Sequence, residues 1–383
     1  MKIIFRFHKH NRYSLIPLIA AIHDKFPSIE MAFVGSLNEI MNISPPAVVA
    51  YSFMSFDVDW VSQEVNILKK KGYALIAGGP HATAKPEDVI RMGFDHVFKG
   101  DGEENILLFL KGERSTVFDG LVKRINIDEY PPFCSDLDLF MPIEITRGCP
   151  FGCAYCEVSL IGGKKPRHRS VESIVHHCKS GINKSRYIAR FITPNAFGYG
   201  SDGMKVNVEA IDNLLYNLKK VGMKEIYFGS FPSDVRPEFV TDEVLKTIKK
   251  YVNNRYIILG AQSGSDRVLR LIKRFHTVEH VVRSAEIVLN NGFVPRVDII
   301  FGFPFENEDD LAKTFDLIKK LVKMGCKIHA HTFMPLPGTE LESSGHAVLP
   351  EWVRRELSRF AQEGNLDGYW EKQLFLSKYL SEL

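Results

Sequence analysis

The chain has no apolar run near the roughly 20 residues that a membrane-crossing helix needs. Its first residues, MKIIFRFHKHNRYS, pass from a short apolar stretch directly into polar ones, which is not the pattern of a signal peptide. A cytoplasmic setting without a membrane partner is therefore expected. No charge dominates: 49 basic against 46 acidic residues leave +3, so nothing in the balance calls for a nucleic-acid partner. Cysteine is scarce, six in 383 residues, which excludes a disulfide-dense secreted scaffold. In a reducing compartment such thiols are free or bind metal. Low-complexity tracts are absent too. With 45% hydrophobic and 25% charged residues, the chain is neither disordered nor collagen-like, and its length suggests two to three domains.

What the chain does contain is an alternation of strand and helix patterns. In residues 1–120 five strand-like cores (KIIFRF, IEMAFVG, AVVAYSFMS, YALIAGG and HVFKG) are separated by helical stretches. That alternation predicts an α/β domain with a doubly wound, Rossmann-like parallel sheet, whose ligands sit beyond the carboxyl ends of the strands. Residues 121–141, with YPPFCSDLDLF, have no period and read as a linker. From 142 to 340 six more cores follow: IEITR, YIARFIT, EIYFGS, YIILGA, RVDIIFGF and KIHAHTF. Six repeats are too few for a closed eightfold barrel and suit an open six-stranded (β/α)6 partial TIM barrel, with its chemistry at the carboxyl ends of the strands. Residues 341–383 read as a short helical C-terminal extension.

The most informative segment is EITRGCPFGCAYCEV. Cys149, Cys153 and Cys156 follow a C-x3-C-x2-C spacing at the end of an expected strand. Thiolates bind zinc and iron–sulfur clusters, and closed sites of either kind want four ligands. Cys134 lies upstream and Cys178 in a helical stretch, so neither completes the set. Three thiolates on a four-iron cluster leave one iron open to an external ligand.

The triplet, with Tyr155 just before its last cysteine, resembles the signature loop of the radical S-adenosylmethionine (SAM) superfamily. GAQSGSDRVLRLIKRFHT, DIIFGFPFENEDD and FMPLPGTEL resemble that superfamily's fourth-, fifth- and sixth-strand segments, in order, over about 142–342. The resemblance implies a [4Fe–4S] cluster on the three cysteines, SAM chelated at the open iron, and cleavage to methionine and a 5′-deoxyadenosyl radical. An electron donor such as ferredoxin or flavodoxin is implied as well. It places Tyr155 near the adenine, Thr193 and Asn195 at the second-strand exit, and Ser230 and Arg236 at the third. Gln262 and Ser263 fall beside the methionine or ribose. Gln262 stands where many members carry Glu, and Phe305 where Gly is commoner. KKPRHRS reads either as a screen for cluster charge or as a solvated basic loop. His329 and His331, two apart in a strand, share one face, as metal ligands or as satisfied barrel histidines.

In the first domain, YSFMS and IAGGPHATAKPED resemble the cobalamin-binding domains that precede many radical enzymes. That resemblance implies cobalamin contacts from Ser52, Ser55, Gly78, Gly79, Pro80 and His81. The Asp-x-His-x-x-Gly loop of other cobalamin proteins is missing; HKHNRYS stands there, leaving His8 or His10 as a cobalt ligand or as members of a polar loop. The implied activity is a cobalamin-dependent methyltransferase acting on an unactivated carbon of an unknown substrate, with no catalytic residue identified. One alternative is a cobalamin-independent enzyme with a vestigial first domain. It includes the methylthiotransferases, which AQSGSDRVL also resembles, although those carry a second three-cysteine cluster and this chain has no cysteine before Cys134. The other is a non-catalytic cobalamin or iron–sulfur sensor.

Overall fold

The computed structural model describes residues 1–383. The chain divides into two compact units, 1–141 with 160–163, and 142–159 with 164–383.

The first unit is built on six parallel strands: β1 (Lys2–Arg6), β2 (Glu30–Val34), β3 (Val48–Ser52), β4 (Ala74–Gly78), β5 (His96–Gly100) and β6 (Val117–Gly120), in the order β2-β1-β3-β4-β5-β6. Strand side chains alternate between faces, so Ile3 and Phe5 enter one core while Ile4 enters the other. Helices cover both faces, which is why VVAYS of β3 is apolar almost throughout and wholly buried. The order reverses at β1, where β2 lies on one side and β3 on the other. The loops after β1 and β3 therefore diverge, opening a crevice at their carboxyl ends.

Two features depart from the sequence reading. β6 is a sixth strand; VFDG is short and ends in glycine, and it gave no alternating signal. The expected linker is part of the unit, with Ile125, Ile127 and Tyr130 in its core and the Ile125 amide donating to the Asp101 carboxylate at 3.1 Å.

In the second unit the strands are β7 (Ile143–Glu144), β8 (Thr146–Arg147), β9 (Arg167–His168), β10 (Ile188–Ile192), β11 (Glu225–Tyr227), β12 (Tyr256–Gln262), β13 (Val294–Phe301), β14 (Lys327–Thr332) and β15 (Leu366–Gly368). β8 and β9 form a small antiparallel ribbon. The others run parallel in two sheets, β11-β10-β7 and β12-β13-β14-β15, rather than in one closed ring. A parallel bridge from Val235 to Leu259 and a 3.0 Å bond from the Ile258 amide to the Gly229 carbonyl connect the two runs.

The intervening helices are amphipathic. Val208–Val221 buries Ile211, Leu214, Leu215 and Leu218 at the helical period. Asn207 caps its start by accepting from the Ala210 amide at 3.0 Å, and Gly222 ends it at φ 106°, a left-handed conformation that favours glycine.

The tail is not only helical. β15 extends the parallel sheet beyond β14, pairing Leu366 with Ile328 and Gly368 with Ala330. LDG is too short to show a period of two, so the sequence did not mark it. No helix is long and apolar enough to cross a membrane.

Candidate active site

The cysteine loop leaves β8 through Gly148 (φ 96°) and turns at Gly152 (φ 60°), a backbone course open to glycine at little cost. It is pinned from two sides: the Ala154 amide donates to the Ile272 carbonyl at 3.1 Å, and its carbonyl accepts from the Leu341 amide at 3.2 Å. The Cys156 amide donates to the Cys153 carbonyl at 3.0 Å, closing the last turn. Charge on Cys153 opposes ionisation of both Cys149 and Cys156. Burial, then the neighbouring Cys153 and Cys149, push the Cys156 thiol up to about 11, and burial likewise raises Cys149. Such a set is unreactive alone and gains most from a cation or metal. Cys178 and Cys326 are buried apart from it, each pushed up by burial to about 12.

Two guanidiniums approach this set. Arg236 and Arg274 each donate to Cys153 Sγ at 3.8 Å. Arg236 lies 3.5 Å over the Phe151 ring, and its Nε donates to Glu238 at 2.7 Å. Burial works against the Glu238 charge, but the His276 hydrogen bond and then Arg236 outweigh it, holding the carboxyl at about 2. Arg274 also donates to the Gly260 carbonyl, and His276 Nε2 lies 2.9 Å from the Ala261 carbonyl. The sequence reading missed Arg274, Glu238 and His276. Their signal was modest: a charge two residues beyond Arg236, and the RFH run closing the fourth-strand segment.

The other expected site residues divide. Tyr155 packs edge-on to Phe303, centroids 5.8 Å apart, and shares a cavity lining with Gln262. Gln262 sits at a bulge with φ 73°, a conformation uncommon outside glycine and frequent at functional positions. A Cβ on Gly260 would fall 2.8 Å from the Gln262 amide nitrogen, so that glycine makes room for the glutamine. Asn195 accepts from the Arg236 amide at 3.3 Å, while its own amide nitrogen is buried without a partner. Ser230 Oγ is also buried and unpartnered. Buried polar groups are nearly always paired, so two orphans at strand exits are notable. Thr193 Oγ1 donates to the Asn195 carbonyl at 3.2 Å. Ser263 is fully buried and turned toward Thr314, 3.5 Å away.

In the first unit, the residues expected near cobalamin have partners of their own. Ser52 Oγ lies 2.7 Å from Ser14 Oγ, and Ser55 Oγ 2.9 Å from His81 Nδ1. Burial lowers His81 to about 4. Pro80 opens the short helix Pro80–Ala84. Gly79 has φ 94°, and a Cβ there would meet Ser52 Oγ at 2.6 Å; one on Gly78 would touch Phe98 at an ordinary 3.7 Å. His8 and His10, in the crevice loop after β1, stand 3.8 and 3.7 Å from the Asp57 carboxylate.

The family model described as "Radical SAM superfamily" matches residues 143–318. The tRNA-2-methylthio-N(6)-dimethylallyladenosine synthase of Hydrogenobaculum sp. (strain Y04AAS1) is 31% identical over 201 residues, covering 50% of this chain and 43% of that protein. The ribosomal protein uS12 methylthiotransferase RimO of Clostridioides difficile (strain 630) is 30% identical over 204 residues, 51% of this chain and 43% of the relative. The chain thus spans less than half the length of these relatives. Among solved structures, TsrM from Kitasatospora setae, a radical S-adenosylmethionine methyltransferase with cobalamin and a [4Fe–4S] cluster bound, superposes with TM-score 0.67 at 14% identity. The likeness covers 89% of this chain and 73% of TsrM. The cobalamin-dependent S-adenosylmethionine radical enzyme OxsB superposes with TM-score 0.69 at 13% identity, covering 99% of this chain and 60% of OxsB. At these identities the likeness concerns the fold.

Proposed function

Since this chain belongs to the radical SAM superfamily and is an enzyme of that kind, we propose that Cys149, Cys153 and Cys156 hold a [4Fe–4S] cluster, that SAM binds beside it, and that the enzyme opens a C–H bond of its substrate without cobalamin. The observation that carries this reading is the three-thiol loop with two guanidiniums directed at one of its sulfurs. Cationic donors suit a donor set that is anionic once deprotonated, and an isolated thiol trio would gain little from them. When bound, the cluster supplies the electron that splits the sulfonium bond of SAM.

The chain's residues supply position and shielding. Tyr155, backed by Phe303 and Phe333, walls the site with apolar surface that keeps water out. Gln262 and the unpartnered groups of Asn195 and Ser230 offer polar contacts for SAM, and Thr193 holds the Asn195 backbone. Ser263 contributes by fixing the turn after β12, accepting from the Ser265 amide at 3.2 Å.

Two of the residues expected to contact cobalamin already have partners of their own. The hydroxyls of Ser52 and Ser55 are engaged inside the first unit, and the need for glycine at 79 follows from its positive φ and from Ser52 and Phe53 beside it. The sequence relatives, whose names describe methylthio chemistry, support the methylthiotransferase-like alternative. The fold likeness to TsrM and OxsB favours a second reading, methyl transfer from cobalamin.

Incubating reduced, reconstituted protein with SAM separates the two. We expect 5′-deoxyadenosine to form at the same rate with and without added cobalamin. Formation only with cobalamin, accompanied by S-adenosylhomocysteine, would establish the second reading instead.

The guanidiniums make a further prediction. Reduction adds negative charge near Cys153, so Arg274 stabilises the reduced state and its loss makes reduction harder. Arg274→Gln should move the midpoint potential in the negative direction, by about 59 mV for each tenfold loss of preference for the reduced state. A redox titration followed by electron paramagnetic resonance reads this directly; an unchanged potential would make Arg274 a packing residue.

A further inference from the structure

Beside Tyr155 and Gln262 lies a cavity of about 210 Å³ whose floor is acidic. Asp298 lies on β13, three residues short of its end at Phe301, and Asp234 comes from the segment between β11 and β12. Both line the cavity, and neither carboxylate accepts a hydrogen bond from the protein. The cations nearby have partners elsewhere, although Arg274 Nε has none and the charges of His329 and Arg274 both work against the rise at Asp234. Arg296 bonds Asp367 at 2.7 and 2.9 Å, and Arg274 is directed at Cys153 and the Gly260 carbonyl. Asp298 is buried, 8% exposed, and a buried carboxylate without a partner is costly; Asp234 reaches the cavity from an exposed position. For Asp298, burial and then the charge of Asp234 push the carboxyl up, so the pair bears one negative charge more readily than two.

We propose that Asp234 and Asp298 receive a protonated amine of the substrate, held at the floor of the cavity with its alkyl stem against Ile300, Phe333 and Leu336. This rests on the reading of the second unit as a radical SAM site. It goes beyond that reading by naming the group that the substrate must carry. One monovalent cation matches the charge of the pair and supplies the donors that both carboxylates lack. The volume is below the roughly 300–1,000 Å³ of a pocket for a whole ligand, so it takes an end group.

A divalent metal on Asp298, His329 and His331, whose ligand atoms lie within 4.8 Å of one another, fits less well. Gln373 Oε1 accepts from the Thr332 amide at 2.9 Å, which fixes its nitrogen as the donor to His331 Nδ1 at 3.3 Å. His331 therefore carries its proton on Nε2 and has no free lone pair to give. His329 Nδ1 lies 2.5 Å from the Asp367 carboxylate.

The test uses the cluster-loaded full chain, with n-butylammonium as probe and n-butanol as its neutral counterpart, by calorimetric titration with SAM present. Wild type should bind the ammonium about tenfold or more tightly than the alcohol. Asp298→Asn should abolish that preference while leaving the SAM dissociation constant unchanged. Equal binding of the two probes, or an Asn variant that keeps the preference, overturns the proposal. If the variant loses SAM binding as well, the carboxylates serve the ammonium of SAM itself and the proposal fails. Displacement of the amine by stoichiometric Zn²⁺ alone would assign the site to a metal. Absence of 5′-deoxyadenosine in wild type counts against the proposed function, whereas the binding comparison still decides the floor.

Discussion

Cys153→Ala should reduce SAM cleavage to background and remove the four-iron absorption of the reconstituted protein. Cys178→Ala and Cys326→Ala should change neither. The contrast follows from position: Cys153 shares a loop with Cys149 and Cys156 and receives both guanidiniums, whereas the other two thiols are buried apart from that loop. Cys153→Ala also leaves two buried guanidiniums with less charge to face. Arg236 keeps Glu238 at 2.7 Å and its stacking on Phe151, so a stable fold with a lost cluster is the expected combination. Iron and sulfide content read the cluster, 5′-deoxyadenosine reads the chemistry, and circular dichroism reads the fold. A Cys153→Ala protein that retained a full four-iron signal and cleaved SAM would remove Cys153 from the ligand set, and with it the role given to Arg274.

The triplet was legible in the sequence because its whole geometry is local: eight residues on one loop, set by spacing and two glycines. The strand–helix alternation was legible for the same reason, since each period is written within one element. The acidic floor was not. Asp234, Asp298, His331 and Gln373 come from four separate segments, the last of them in the tail, and only the parallel register that sets Asp298 opposite His329 brings them together. Arg274 was hidden similarly, since it meets Cys153 across 121 residues of chain. β15 escaped because three residues cannot display a period, and its strand character comes from the free edge of β14. In the first unit the resemblance places the paired glycines against cobalamin. The structure gives one of them a reason inside the protein.

That pair of glycines supports the second large effect, because the two positions answer to different causes. Gly79 holds φ 94° and ψ −172°, a region essentially closed to other residues, at a cost of about 1–3 kcal/mol. A methyl group there also falls 2.6 Å from Ser52 Oγ and 2.9 Å from the Phe53 amide, and overpacking of that kind adds about 1–3 kcal/mol. Gly79→Ala should therefore destabilise the first unit by about 2–6 kcal/mol, seen as a lower urea midpoint for its transition in the full chain, whether or not cobalamin is present. Gly78 behaves otherwise: its backbone is ordinary strand, and its nearest contact would be Phe98 at 3.7 Å. Gly78→Ala should leave the urea midpoint close to wild type, since the native conformation accepts a methyl group and the unfolded chain loses some freedom. Cobalamin uptake then becomes a clean question at Gly78. If corrin packs over the paired glycines, Gly78→Ala lowers uptake in a stable protein, and the cobalamin-dependent reading gains its first residue-level support. If wild type takes up no cobalamin and Gly78→Ala changes only SAM-independent properties, the glycine pair belongs to the architecture of the sheet. A Gly79→Ala protein as stable as wild type would contradict the packing described between Gly79 and Ser52, and would return Gly79 to the candidate ligand contacts.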